Sequence, residues 1–394
     1  MSRKPDFQTV SVNPDHCLSS HPPADPIIRQ REPLNLEFPF DQLDDFLTPN
    51  HLFYIRSHFK TPQLDPSHYE LKIDGAVSRP FSIRYQELRN LPSVTRPATL
   101  ECAGNGRIFL SPPAPGLQWQ LGARGTANWT GVPLSALLER AGLANSACEI
   151  VFEAADKGQV EEHPKPPGEI RYARSIAIEK AADALIVYRM NGEDLTPDHG
   201  FPVRVVVPGH YAMASVKWLT RISAVTQPFS GFWQTSAYAY WDELEGNPVL
   251  RALGPMALKS EIGRPRIREI IPAGQTYNVI GAAWGGHAEI EHIEFSDDDG
   301  KTWQPATFVD PPQPFVWRRW QFQWPVPRKN GACILKSRAR DASGAVQPAE
   351  HDKRYGSYNV DHTIGIEVVV SSALSAAREP REDQSSSETT GRLR

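Results

Sequence analysis

The sequence predicts two domains of different class: an α+β domain over residues 35–253, followed by an all-β, immunoglobulin-like sandwich over residues 254–372. Three observations predict this. The chain has 394 residues, more than one hydrophobic core usually organises. From about residue 35 to 250, strand and helix signals mix without a regular βαβ rhythm, which favours α+β over a doubly wound sheet. Beyond about 255, helix signals nearly vanish, and short alternating runs between turn residues replace them.

The elements follow in order. Residues 1–34 are polar and proline-rich, and read as an extended arm draped over the first domain. Tyr69 to Gly75 alternates like a strand ending in a turn. Gly131 to Gly142 predicts a helix, with Pro133 near its start and Gly142 after its end. Phe201 to Val207 and Val216 to Val225 read as buried strands. In the second domain, Thr276 to Trp284 is a strand closed by Gly285-Gly286. Ile290 to Ser296 and Lys301-Thr302-Trp303 predict a hairpin turning at Asp299-Gly300. Phe315 to Trp324, Ala332 to Arg340 and Thr363 to Val370 complete the sandwich, and the Ser/Thr/Glu-rich stretch 373–394 reads as a disordered tail.

Composition narrows the function. Hydrophobic residues at 40% and charged residues at 22% suit a soluble globular protein, and the net charge of −4 does not favour nucleic acid or an anionic membrane. Apolar runs such as Val205-Val206-Val207 fall far short of the roughly 20 residues of a membrane span. Two basic residues near the N-terminus have no apolar stretch behind them, so the expected compartment is the cytoplasm, or the periplasm only if a leader was removed. Cys17, Cys102, Cys148 and Cys333 lie far apart, which argues against a disulfide framework or a zinc knuckle.

The chemistry centres on Cys102, in the run Thr99-Leu100-Glu101-Cys102-Ala103-Gly104-Asn105-Gly106-Arg107. A thiolate in a Gly-rich turn after an apolar strand is placed to bind a soft metal or attack an electrophile. A cysteine after a strand is more often a small buried apolar residue, so its neighbours must decide. Those neighbours lack the Lys-Ser/Thr pair of a phosphate loop. The run resembles the molybdenum-cysteine loop of the sulfite oxidase family, and other motifs of that family recur in order along residues 35–370. They are Arg56-Ser57-His58, with serine where relatives carry asparagine; Gly116-Leu117-Gln118-Trp119; the segment Asp198 to Leu219; Trp233 to Tyr238; and Val316-Trp317-Arg318-Arg319-Trp320. Gly106 stands where relatives commonly carry arginine, and Ala212 where they often carry glycine.

The resemblance implies a molybdenum–molybdopterin cofactor with Cys102 as metal ligand. His58, Asp156, His199, Arg204, Ser215 and Lys217 would hold the pterin and its phosphate, where charge-assisted donors suit an anion. Arg56, Arg107 and Arg318 would bind a small oxyanion such as sulfite, Trp119 would wall its pocket, and Tyr238 would be the active-site phenol, with Tyr240 as its competitor. Oxidation of sulfite to sulfate by oxo transfer follows, with electrons passing to an external acceptor, oxygen or a cytochrome. No cytochrome b5-like segment or dinucleotide-binding region is legible, so haem and flavin are not expected. The family's sandwich domain implies a homodimer. The alternatives are a related molybdoenzyme reducing nitrate or a sulfoxide, and a cofactor-free binding protein with a degenerate site.

Overall fold

A computed structural model of the chain describes residues 25–161, 164–286 and 288–373. The first region is built mainly from strands, which corrects the α+β expectation toward β. Its α-helices are short: Tyr85–Arg89, Leu134–Ala141 and Phe232–Thr235. The middle one is the predicted helix. It starts after Pro133 and stops at Gly142, whose left-handed φ of 69° a side chain rarely adopts. Leu134, Leu137, Leu138 and Ala141 form its buried stripe.

Two five-stranded sheets carry this region. In one, Leu185–Met190 is paired by Arg124–Pro133 on one side and by Glu193–Asp194 and Arg204–Val206 on the other, and Val94–Glu101 extends the sheet beyond Arg124–Pro133. In the other the order is Phe81–Arg84, Glu70–Gly75, Leu219–Val225, Glu149–Gly158 and Ile170–Ala177. Both faces of Leu185–Met190 are covered, which explains its continuous apolar run. The expected arm changes at its end: Ile27–Gln30 pairs antiparallel with Asn35–Glu37, so residues 27–34 belong to a hairpin. Its second strand is held by Glu37, whose carboxylate accepts from the Gly122 and Gln120 amides. The rest of the arm, and the tail from 374, lie outside the described residues.

The second region contains a four-stranded sheet, Lys259–Arg264, Thr276–Trp284, Arg318–Pro325 and Thr307–Phe308. Its partner has five strands, Ile270–Pro272, Ile366–Ser371, Gly331–Asp341, Ile290–Ser296 and Gln304–Pro305. Phe295 of the second sheet stacks on Phe322 of the first, centroids 4.6 Å apart, within a core that includes Trp320 and Trp324. The predicted hairpin after Ser296 is present, but its returning strand is Gln304–Pro305, so the turn is longer than Asp-Gly. The Asp298 carboxylate shapes it by accepting from the Lys301 and Thr302 amides.

A buried polar joint links the two regions. The Glu101 carboxylate accepts from Lys259 Nζ (2.7 Å), Trp284 Nε1 (2.8 Å) and Asn105 Nδ2 (3.1 Å). Both members of the Glu101–Lys259 pair are fully buried. Beside them the Arg124 guanidinium lies between the rings of Phe40 and Trp284, 3.5 and 3.8 Å from their centroids. Trp317 adds a second tie, its amide donating to Thr99 Oγ1 and its indole to Phe46 O.

Candidate active site

The strand Val94–Glu101 ends at the joint, and the chain then turns sharply. Cys102 N donates to Ala123 O, Asn105 N donates to Cys102 O, and the Asn105 side chain accepts from the Ala123 amide. These bonds set the thiol at the wall of a pocket, where Cys102 is buried and free of any disulfide. Gly106 adopts a φ of 90°, and a Cβ there would meet Val360 and Ile364 of the second region at 3.2 and 3.3 Å. The glycine at this position therefore admits a close approach by the second region.

The pocket spans about 690 Å³ of space free of protein atoms, part of it open to solvent. It brings together most of the predicted residues: Arg56, His58, Cys102, Asp156, His199, Arg204, Ser215, Lys217 and Tyr238. Cations dominate its polar wall. Lys217 Nζ donates to Ser57 Oγ and to Asp198 O, both at 2.8 Å, so the serine at position 57 keeps a hydrogen bond to the cation. Arg204 donates to the carbonyls of His199 and Ser215. His199 is fixed through Nδ1 to Thr196 Oγ1 at 2.8 Å. Ser215 Oγ accepts from the Val207 amide.

Burial moves the charges of this wall. Desolvation, aided by Arg204, pushes Lys217 down to about 7. Desolvation, then Lys217 and Arg204, pushes His199 down to about 3, so its imidazole is neutral. Burial raises Asp156 above the usual carboxylate range, against the pull of Lys217. His58 is held well below its ordinary value by burial, then by Arg56 and Lys217. Sulfate stays dianionic across neutrality, so it reports Lys217 directly. Its affinity for cofactor-free protein is expected to rise as pH falls through about 7, because Lys217 then gains its proton. Calorimetric titration one unit either side of that pH checks this. Equal affinities, or a pH dependence that survives Lys217→Met, would remove Lys217 from the anion site.

Of the two candidate tyrosines, Tyr238 lines the pocket and Tyr240 does not. The Tyr238 phenol meets His58 Nε2 at 2.8 Å inside the pocket, whereas the Tyr240 ring packs on Tyr355, centroids 4.5 Å apart. Burial raises the Tyr238 pKa, so the phenol stays protonated and can donate. Arg56 lines the same pocket, anchored to Asn35 Oδ1 and Ser57 O.

Three predicted residues lie elsewhere. Arg318 donates to Ile290 O at 2.7 Å and covers the Phe308 ring inside the second region. Trp317 is turned toward the first region, and strand alternation turns its neighbour Arg318 away. Trp119 is fully buried in the apolar cluster with Tyr54, Leu100 and Cys102, and does not line the pocket. Arg107 directs Nε to Ser357 O and Nη1 to Leu117 O and does not line the pocket. Tyr54, Tyr172, Met213 and Trp218 were not anticipated as pocket residues. Tyr54 lies two residues before Arg56 and Trp218 follows Lys217; Phe53 to His58 and Ser215 to Trp218 all line the pocket, so alternation gave no signal and nearness to the motifs was the one available.

Such a wall fits a large anionic ligand. His199 Nε2, Arg204 Nε and Asp156 Oδ1 are buried without a partner, an arrangement a protein tolerates where a bound group supplies one. Among the described residues, no group of three or more His, Cys, Asp and Glu side chains is arranged to hold a metal ion. A metal at Cys102 would thus draw its other ligands from that bound group, as the dithiolene sulfurs of molybdopterin provide.

Comparisons agree. Residues 58–233 match the family model described as oxidoreductase molybdopterin binding domain, and residues 251–361 match Mo-co oxidoreductase dimerisation domain. Fold and pocket define a molybdopterin-binding oxidoreductase. Sulfite oxidase of Gallus gallus is 34% identical over 368 residues, covering 87% of this chain and 78% of that protein. The NAD(P)H nitrate reductase of Hordeum vulgare is 31% identical over 356 residues, covering 81% of this chain and 39% of that protein. The sulfane dehydrogenase SoxCD from Paracoccus pantotrophus superimposes with a TM-score of 0.75 at 26% identity, covering 89% of this chain and 92% of that one. The chain belongs to the sulfite oxidase family.

Proposed function

We propose that this enzyme oxidises sulfite to sulfate and passes the electrons to an external acceptor, oxygen or a cytochrome. One observation carries the reading: the Cys102 thiol, the Arg56 guanidinium and the Tyr238 phenol share one pocket with the cations Arg204 and Lys217. The names of its relatives, sulfite oxidase and sulfane dehydrogenase, support a sulfur substrate. When bound, the molybdenum cofactor would supply the two-electron oxo-transfer chemistry. Cys102 would be its protein ligand. His199, Arg204, Ser215 and Lys217 would hold its anionic end, with His58 and Asp156 toward the pterin. Arg56 would orient the anion through its planar guanidinium, while the Tyr238 phenol donates a hydrogen bond.

The test is sulfite-dependent ferricyanide reduction by molybdenum-loaded protein. Saturating turnover supports the proposal. No turnover, with about one metal per chain, would sink it and move the substrate to nitrate, a sulfoxide or another sulfur compound. Arg56→Gln is expected to raise the KM for sulfite by the equivalent of roughly 1–3 kcal/mol, the value of one charged hydrogen-bonding group. Arg318→Gln is expected to leave KM within about twofold, because its guanidinium binds Ile290 O. The reverse pattern would return Arg318 to the substrate. We further read the second region as an immunoglobulin-like sandwich that makes a homodimer, supported by its match to the dimerisation domain. A monomeric mass at micromolar concentration would contradict the dimer. No helix among the described residues is long and apolar enough to cross a membrane.

A further inference from the structure

The segment 351–364 leaves the second region's sheet between Gly331–Asp341 and Ile366–Ser371 and lies on the cysteine loop. Asn359 N donates to Ala103 O at 2.8 Å, and Asn359 Oδ1 accepts from the Tyr211 phenol at 2.8 Å. Ser357 O takes the Arg107 Nε bond, and Val360 and Ile364 face Gly106. Four contacts to the cysteine loop and one to Tyr211 hold the segment where one of its side chains reaches the active-site tyrosine. That side chain is Tyr358. Its ring lies 5.0 Å from the Tyr238 ring at 40°, and the Arg107 guanidinium sits 5.5 Å from the Tyr358 centroid.

Tyr238 requires such support. Its φ of 54° is left-handed, a conformation that costs a residue with a side chain and persists only where the surroundings enforce it. One restraint is backbone: Leu253 N donates to Tyr238 O at 2.8 Å. Another is the His58 contact at the phenol tip. Trp233 packs with the ring at 6.3 Å, tilted 37°. Without Tyr358, the Tyr238 ring would lose an aromatic neighbour, and the phenol could swing away from His58.

We propose that Tyr358, contributed by the second region, is a positioning residue for the Tyr238 phenol, so that the dimerisation-type domain completes the active site of the first. Arg107 belongs to the same device: it braces Tyr358 and Ser357 rather than touching substrate. The inference rests on Tyr238 being the active-site phenol, as proposed above.

The experiment compares Tyr358→Phe, Tyr358→Leu and Tyr358→Ala with Tyr238→Phe in molybdenum-loaded protein, and adds 19F NMR of full-length chain carrying fluorotyrosine at position 238. Tyr358→Ala and Tyr358→Leu are expected to lower kcat roughly 10- to 100-fold with KM little changed, the pattern of a displaced reacting group. Tyr358→Phe is expected to retain most of kcat, because the ring supplies the packing. The fluorine resonance is expected to be single in the parent and in Tyr358→Phe, and broadened or split in Tyr358→Leu. Leucine keeps the site apolar and filled, which guards against a misfolded alanine variant. An unchanged kcat and an unchanged resonance in Tyr358→Leu would overturn the proposal, as would a rise in KM alone. If the parent turns over sulfite but Tyr238→Phe is as fast, the underlying reading of Tyr238 fails instead. The NMR arm then still decides whether Tyr358 fixes that ring.

Discussion

Cys102→Ser, loaded with cofactor under the same conditions as the parent, is expected to lose almost all oxidase activity. The loss should exceed the roughly 10- to 100-fold typical of removing a group that merely orients a metal ligand. The reason is chemical rather than steric. The serine hydroxyl fits the same space, and the loop bonds from Ala123 and Asn105 go to backbone, so the fold is preserved. A hard alkoxide replaces a soft thiolate at the pocket wall, and at neutral pH the hydroxyl is not even ionised. Steady-state turnover with metal analysis and a thermal melt checks this. Undiminished activity in a folded, metal-free variant would end the molybdoenzyme mechanism.

Lys259→Met is expected to destabilise the chain by about 3–5 kcal/mol, the usual penalty for breaking one half of a buried ion pair. Glu101 would then keep two neutral donors, Trp284 Nε1 and Asn105 Nδ2, against a fully buried carboxylate. Adding Glu101→Gln should recover a large part of the loss, because the orphaned charge disappears with it. Urea unfolding of the two single variants and the double variant measures both effects. Additive losses in the double variant would show that the pair is not the unit of stability. Glu101 immediately precedes Cys102, so the same variants should also slow turnover in whatever protein remains folded.

Much of the pocket was legible before any coordinates. Residues that share one short run, Arg56 with His58 and Ser215 with Lys217, arrive in the pocket together because each run is a single strand or turn crossing it. Direction was harder to read. Adjacent residues of a strand face opposite ways, so with the Trp317 indole bonded to Phe46 O of the first region, Arg318 points back into its own domain. Motif spacing carries no such information. Trp119 was misplaced for a related reason, since an indole can line a cavity or underpin the cysteine behind it, and only packing distinguishes them. The α+β expectation overstates the helix of the first domain, where Gly131 to Gly142 is the one stretch with both a start and a stop signal; the apolar run Phe201 to Val207, expected as a buried strand, supplies Arg204–Val206. Tyr358 carried no signal at all: its partner Tyr238 is 120 positions away in the chain, and their contact depends on how the two domains pack.

The cationic wall has a consequence for the life of the protein in the cell. A chain that buries Arg204 and Lys217 with unsatisfied neighbours pays for them until an anion arrives. Binding of the cofactor to the folded state alone then raises stability by RT ln(1 + [L]/Kd), some 4 kcal/mol at a thousandfold excess over Kd. Chains made when cofactor synthesis is limiting should therefore be cleared by proteolysis faster than loaded ones, so that the amount of this protein follows the supply of its cofactor without any dedicated regulator.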